Sequence, residues 1–345
     1  MIAWLLLGVA FLSSVLTGAL RRYALARSII DIPNARSSHS VPTPRGGGVA
    51  IVVSFLLAVP VLYFLGIIDW SATLALVGAG GGVAILGFAD DHGHIAARWR
   101  LLGHFSAAIW ALYWLNGLPA LDMFGFVIDL GWIGNVLATL YLVWLLNLYN
   151  FMDGIDGIAS IEALSCCLGG AFLLWLTGHF QGVWPLGLLA SAVLGFLFWN
   201  FPPAKIFMGD AGSGFLGMLL GVFSIQSSAL DPAFLWVWLI LLGVFIVDAT
   251  LTLLQRLLRG VKVYEAHRSH AYQHATQRYG RHLPVTLAVA LINLCWLLPL
   301  AMLVALHLLD GLVGVAIAYM PLVLLARRFG AGLELNSDLD TGSKI

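Results

Sequence analysis

The sequence predicts an all-α membrane protein, a polytopic bundle of about eleven transmembrane helices with ten as the competing count. Three observations carry this. Of the 345 residues, 61% are hydrophobic and only 10% charged, against roughly 25% charged in soluble domains, which excludes a water-soluble globule of this size. Apolar runs of about 20 residues, each long enough to cross a bilayer as a helix, recur from end to end. Finally, the basic residues are confined to alternate connections, as the positive-inside rule requires.

The runs lie near 1–20, 46–66, 71–89, 101–118, 131–149, 158–178, 183–201, 211–229, 234–255, 284–307 and 311–326. The first lacks a basic segment ahead of it, and Arg21 and Arg22 follow it, so it reads as a retained helix with its N-terminus outside. The short last run could be half of a hairpin, hence the lower count. Alternation then puts 21–45, 90–100, 150–157, 202–210, 256–283 and everything after 326 inside, and these segments hold all seventeen Lys and Arg residues. The outer connections carry Asp69, Asp122, Asp129, Asp231 and Asp310, and eight of the ten histidines lie on or beside the inner face. An odd number of spans follows, with the polar chemistry at the cytoplasmic face.

No linker or repeat divides the chain. It reads as one transmembrane catalytic domain, 1–328, with a polar cytoplasmic tail, 329–345. A formal net charge of zero offers no field for nucleic acid. Cys166, Cys167 and Cys295 lie within apolar runs and suggest neither a disulfide framework nor a zinc site. Gly78/Gly82 and Gly217/Gly221 have the spacing of close helix packing.

Four inner segments carry residues that an inert bundle does not need. Asp90-Asp91-His92 ends the third span, where adjacent carboxylates repel unless a cation neutralises them. In Asn150-Phe151-Met152-Asp153-Gly154-Ile155-Asp156-Gly157, the two aspartates share one face of a helical turn and could converge on one cation. Phe207-Met208-Gly209-Asp210-Ala211-Gly212-Ser213-Gly214 opens the eighth span, where free N–H groups suit phosphate and Phe207 is available to stack on a base. In the last large inner loop, His267-Arg268-Ser269-His270 and His274 suit phosphate oxygens. The His270/His274 spacing lacks the glutamate of a zinc protease, since Ala271 follows His270. Together these segments point to metal-assisted phosphoryl transfer between a cytosolic phosphate ester and a membrane lipid.

These motifs resemble those of the polyprenyl-phosphate N-acetylhexosamine-1-phosphate transferases. The resemblance covers Thr43-Pro44-Arg45-Gly46-Gly47-Gly48, the Asp90-Asp91 pair, Asn150 to Gly157, Phe207 to Ser213 and His267 to His274. It implies an enzyme of the bacterial inner membrane. Undecaprenyl phosphate would attack the β-phosphorus of a UDP-N-acetylated sugar, giving undecaprenyl-diphospho-sugar and UMP. It also implies Mg²⁺, with Mn²⁺ as substitute, held near Asp210 with Asn150 contributing. Asp90, Asp91, Asp153 and Asp156 match catalytic carboxylates, with Asp90 the candidate base. Phe207, Arg100, His267, Arg268, His270, Lys205 and Arg45 match the substrate-binding side. A homodimer is left open.

Peptidoglycan-type relatives carry three consecutive histidines where this chain reads His267-Arg268-Ser269-His270. A muramyl-pentapeptide donor therefore stands as the alternative, behind a donor that initiates O-antigen chains. Asp248, about 12 Å from Arg256 along its span at 1.5 Å per residue, is either functional or a helix-to-helix hydrogen bond. A transporter is the main rival from another class, but only Asp248 sits well inside a span. A serine protease built on Gly212-Ser213-Gly214 leaves the aspartates unexplained.

Overall fold

The computed structural model describes residues 1–33, 39, 41–93, 95–261 and 268–333. His267 and most of the polar tail lie outside the described residues. The helices are α1 (Ile2–Ala26), α2 (Val49–Phe64), α3 (Trp70–His92), α4 (Ala97–Trp114), α5 (Gly131–Met152), α6 (Ile158–Leu176), α7 (Phe180–Asn200) and α8 (Asp210–Leu230). They continue as α9 (Ala233–Leu241), α10 (Gly243–Leu258), α11 (Ala271–Tyr279), α12 (Leu283–Ile292), α13 (Leu298–Ala305) and α14 (Gly311–Arg328). Two-residue strands β1 (Ile30–Asp31) and β2 (Thr43–Pro44) pair antiparallel, as do β3 (Leu121–Met123) and β4 (Phe126–Ile128).

The eleven expected spans map onto helical segments. Among the described residues, eight helices, counting α12 to α13 as one, are long and apolar enough to cross a membrane, and nine if the α9–α10 pair, bent by 72°, is one span. The other two are α2, at 16 residues short for a span, and α4, which carries Arg98 and Arg100 in its first turn. A π-helical turn at Asn293–Leu297 joins α12 to α13.

Asp69 starts α3 by accepting from the Ala72 N–H at 2.6 Å, and Asp310 starts α14 by accepting from Leu312 and Val313. Such caps satisfy the free N–H groups of a helix start. Asp310 also accepts from Phe124 in the β3–β4 hairpin at 2.7 Å, which ties the outer end of the bundle together.

α8 is the central helix, buried along most of its length, whereas α1 is largely exposed. It packs on α3 and α5, with α2, α6 and α9 around it. In lipid, apolar surface gains little by leaving its surroundings, so close backbone approach does the work. A Cβ on Gly217 would sit 2.7 Å from that of Tyr149, and one on Gly221 would sit 2.6 Å from Leu142. Gly78 likewise faces Trp110, whereas Gly82 faces open space, so only one member of that pair packs.

Asp248 and Glu162 are buried within α10 and α6. Asp248, 6% exposed, accepts from the Ala271 and Tyr272 N–H groups at 2.9 Å each and so caps α11. The expectation that it alone lies within a span is incorrect. Glu162 of α6 is fully buried and accepts from the Asn293 amide at 2.7 Å, on the π-helical turn. Residues just past Arg328 pack back: Gly332 donates to Ser269 at 2.7 Å and Ala331 is fully buried. All three cysteines are free.

Candidate active site

The end of α3, the start of α4, the end of α5 and the start of α8 meet at one end of the bundle. Asp90 and Asp91 are neighbours in sequence, yet their side chains have different partners. Asp91, with 3% of its side chain exposed, takes the Arg45 guanidinium at 2.6 Å. It also accepts from the N–H groups of Asp210 and Ala211 at 3.3 and 3.4 Å, so a carboxylate from α3 caps α8. The helix N-terminus that suited a phosphate is thus met by the protein's own anion, which the positive end of α8 stabilises. Asp90 has both oxygens engaged, one by the Ile95 N–H at 2.9 Å and the other by Arg100.

Arg45 reaches Asp91 because the segment after β2 lies along the start of α8. Phe207 donates to Pro44 at 2.8 Å, and Gly47 and Gly48 donate to Phe207 and Met208 at 2.9 and 2.8 Å. Gly48 is obligatory here, since a Cβ would fall 2.6 Å from the Gly212 Cα.

Arg100 also lies 3.9 Å from Asp210, so one guanidinium spans two carboxylates. The Asn150 side chain, from α5, lines the same cavity as Asp210. Asp153, one residue past α5, has its carboxyl pushed well above the usual range, first by burial and then by the charges of Asp210, Asp91 and Asp156. Clustered carboxylates of this kind call for a cation. Among the described residues, no group of three His, Cys, Asp or Glu side chains could hold a metal unaided. Oxygen ligands from Asp210 and Asn150 instead suit an open Mg²⁺ site, because that ion keeps waters and substrate phosphates as its other ligands.

The remaining candidates are more scattered. Asp156 accepts from Ala204 at 3.0 Å and meets His282 at 2.9 Å, linking the loop after α5, the loop after α7 and the start of α12. Phe207 is half-buried, its ring edge-on to His39 at 4.8 Å. The Lys205 ammonium rests 5.6 Å from the rings of Phe198 and Trp199. His270 is 2% exposed and 3.4 Å from Asp248. Arg268 is half-buried and faces the Gln277 amide at 2.8 Å. Tyr272 donates to the Phe151 carbonyl at 3.0 Å, fixing α11 against the end of α5.

A model of glycosyl transferase family 4 matches residues 73–228, the stretch that holds both Asp90 and Asp210. A Bacillus subtilis protein named "Probable undecaprenyl-phosphate N-acetylglucosaminyl 1-phosphate transferase" is 30% identical over 288 residues, covering 79% of this chain and 77% of that protein. The chain belongs to this family. Two further relatives differ in their named substrates. Decaprenyl-phosphate N-acetylglucosaminephosphotransferase of Mycolicibacterium smegmatis is 31% identical, over 64% of this chain and 59% of that protein. Phospho-N-acetylmuramoyl-pentapeptide-transferase of Bacillus licheniformis is 29% identical, over 71% of this chain and 78% of that protein. The chain is accordingly a sugar-phosphate transferase of the polyprenyl-phosphate hexosamine-1-phosphate superfamily, multi-pass in the bacterial inner membrane.

Sequence reasoning missed His282, Asn200 and His104. Asn200 accepts from the Gly157 N–H at 3.0 Å and donates to Ile206 at 3.0 Å, holding two site loops in register. His104 lines the same cavity as Asp90 and Asp210. Its signal was present: a polar residue four positions after Arg100, on the same helix face, in an apolar run.

Proposed function

We propose that this family member transfers an N-acetylhexosamine-1-phosphate, or a deoxy derivative, from a UDP-sugar to undecaprenyl phosphate, the opening step of an O-antigen or related surface glycan. One observation carries the reading. Asp90, Arg100, Asn150 and Asp210, from four different helices, line one cavity of about 60 Å³ at the end of the bundle, with Asp91, Arg45 and Asp153 around it. Reactant phosphates and a hard cation need this mixture of carboxylate, amide and guanidinium.

An oxygen of the lipid phosphate forms the new bond to the β-phosphorus, and the bond from that phosphorus to the bridging oxygen breaks, so UMP leaves with that oxygen. The lipid phosphate has a second pKa near 6, by analogy with phosphorylated side chains, so it is mostly dianionic at neutral pH and needs no strong base. Asp90, with both oxygens engaged, acts by orienting Arg100. Arg100 and Arg45 place positive charge beside the carboxylates, so that phosphates can enter. Asp210 and Asn150 would hold Mg²⁺, which when bound supplies charge neutralisation across the diphosphate. Phe207 offers its ring to the uracil, while Lys205 and Arg268 lie on the donor side.

The two relatives named for N-acetylglucosamine support an N-acetylhexosamine donor. The run His267-Arg268-Ser269-His270, without three consecutive histidines, weighs against a muramyl-pentapeptide. The test is to incubate purified protein with undecaprenyl phosphate, Mg²⁺ and a panel of UDP-sugars while following UMP and lipid product. UMP release that depends on both a UDP-N-acetylhexosamine and the lipid is expected. No UMP release with any UDP-N-acetylhexosamine, or release with the muramyl-pentapeptide donor alone, would overturn the reading.

A further inference from the structure

The cavity bounded by Asp90, Arg100 and Asp210 has one polar wall that nothing above uses. His104 sits on α4 one turn past Arg100, so both side chains project to the same face of the helix. Its Nδ1 is sealed from solvent and has no hydrogen-bond partner. A buried polar nitrogen without a partner is disfavoured, and the His104 side chain forms part of the wall of this cavity. The facing wall is α5, with Leu146, Asn147 and Asn150.

The same two helices continue into an apolar groove of about 540 Å³, lined by Phe105, Ile109 and Tyr113 of α4 and by Val136, Thr139 and Leu140 of α5. From Asn147 to Leu140 along α5 is about 10 Å at 1.5 Å per residue. A molecule with an anionic head and a long hydrocarbon tail fits this sequence of surfaces. The head would meet Arg100 and His104, and the tail would leave between α4 and α5.

We infer that His104 is a positioning residue for the acceptor, its ring nitrogen hydrogen-bonding the phosphate of the polyprenyl phosphate while Arg100 balances the charge. The inference rests on the transferase reading above and adds a side chain that discriminates between the two substrates. On the transferase reading Asp210 and Asn150 would serve the donor diphosphate through the metal, whereas His104 would serve the acceptor phosphate.

The test compares full-length wild type with His104→Met, which keeps bulk without a donor, and His104→Gln, which keeps an N–H donor. KM is measured separately for undecaprenyl phosphate and for the preferred UDP-sugar. One hydrogen bond to a charged phosphate corresponds to about a tenfold change. His104→Met should therefore raise the acceptor KM about tenfold and leave the donor KM within about twofold, and His104→Gln should recover most of the loss. His104→Ala serves the same comparison should the methionine variant misfold. Equal shifts in both KM values, or none in either, would overturn the inference.

A binding arm separates this outcome from failure of the transferase reading. Undecaprenyl phosphate, but not undecaprenol, should raise the melting temperature of wild type, and this rise should shrink in His104→Met. Were wild type to release no UMP with any donor, the transferase reading would fall while the binding arm still decided the role of His104. Equal stabilisation of wild type and His104→Met by the lipid phosphate would exclude that role.

Discussion

Arg45 and Asp91 form a 2.6 Å ion pair across 46 residues of sequence, and the same carboxylate caps α8 through the Asp210 and Ala211 N–H groups. Asp91 therefore holds three elements in place at once. Arg45→Ala would leave a nearly buried carboxylate with only two long amide contacts. Removing one partner of a fully buried pair costs about 3–5 kcal/mol. Arg45 is 36% exposed, so a loss of about 1–3 kcal/mol is expected. Thermal unfolding should show the lower stability, and transfer should fall at least about tenfold because the start of α8 carries Asp210. An unchanged melting temperature would show that the pair contributes nothing.

Asp153 gives a pH signature. Its carboxyl is pushed up by burial and by Asp210, Asp91 and Asp156, so the folded protein binds this proton more tightly than the unfolded chain. Stability from this group is then present at low pH and lost as pH rises through the interval between the two values. In EDTA, Asp153→Asn should raise the melting temperature at about pH 8 and bring a much smaller gain at about pH 4. Mg²⁺ should reduce the gain at high pH by neutralising the same charge. A gain independent of pH would mean that the carboxylate's charge is not what strains the site.

Asp210 combines 34% side-chain exposure with Asn150 beside it on the same cavity, as an open metal ligand requires. Asp210→Asn keeps size and removes the anion. Transfer should drop about a hundredfold or more even in excess Mg²⁺, with the melting temperature kept. EDTA should silence wild type, and Mg²⁺ or Mn²⁺ should restore it. Undiminished turnover in the variant would remove the metal role from Asp210.

Asp90 was the candidate base in the sequence, but both its oxygens already have donors, Ile95 and Arg100. An oxygen bound to a guanidinium is poorly placed to take a proton. Asp90→Asn should lower kcat by a similar factor from about pH 6 to 9, because orientation of Arg100, not proton transfer, is lost. Recovery of the variant as pH rises would return the base role to Asp90.

The orientation of the bundle can be read by cysteine labelling. Ser269 is 1% exposed and unsuitable as a probe, whereas Asp129 and Arg281 are exposed at opposite ends. With Cys295, which is exposed, replaced by Ser, a cysteine at position 129 should label from outside. One at position 281 should label only from the cytoplasm. The reverse pattern would place the carboxylate cluster on the wrong side for a cytosolic donor.

Helix positions and the one-sided charge were legible in the sequence because both are local. An apolar run needs only its own residues to satisfy backbone groups in lipid, and a basic loop needs only its own charges to stay inside. The same holds for the motif segments, where Asp90, Asn150, Asp153 and Asp210 stand next to glycine, proline or helix ends. What each of these side chains does was not local. Asp90 and Asp91 are indistinguishable as neighbours, and only the approach of Arg45 and of the α8 N-terminus made one a structural cap, leaving the other to Arg100. Asp248 became the cap of α11 for the same reason, 23 residues from its partner Ala271. His104 looked like an ordinary polar interruption of a span until α5 and α8 closed a cavity around it. Packing across the bundle decides which buried polar atoms find partners and which remain open to a ligand, because hydrogen bonds depend on distance and direction in space and not on separation along the chain.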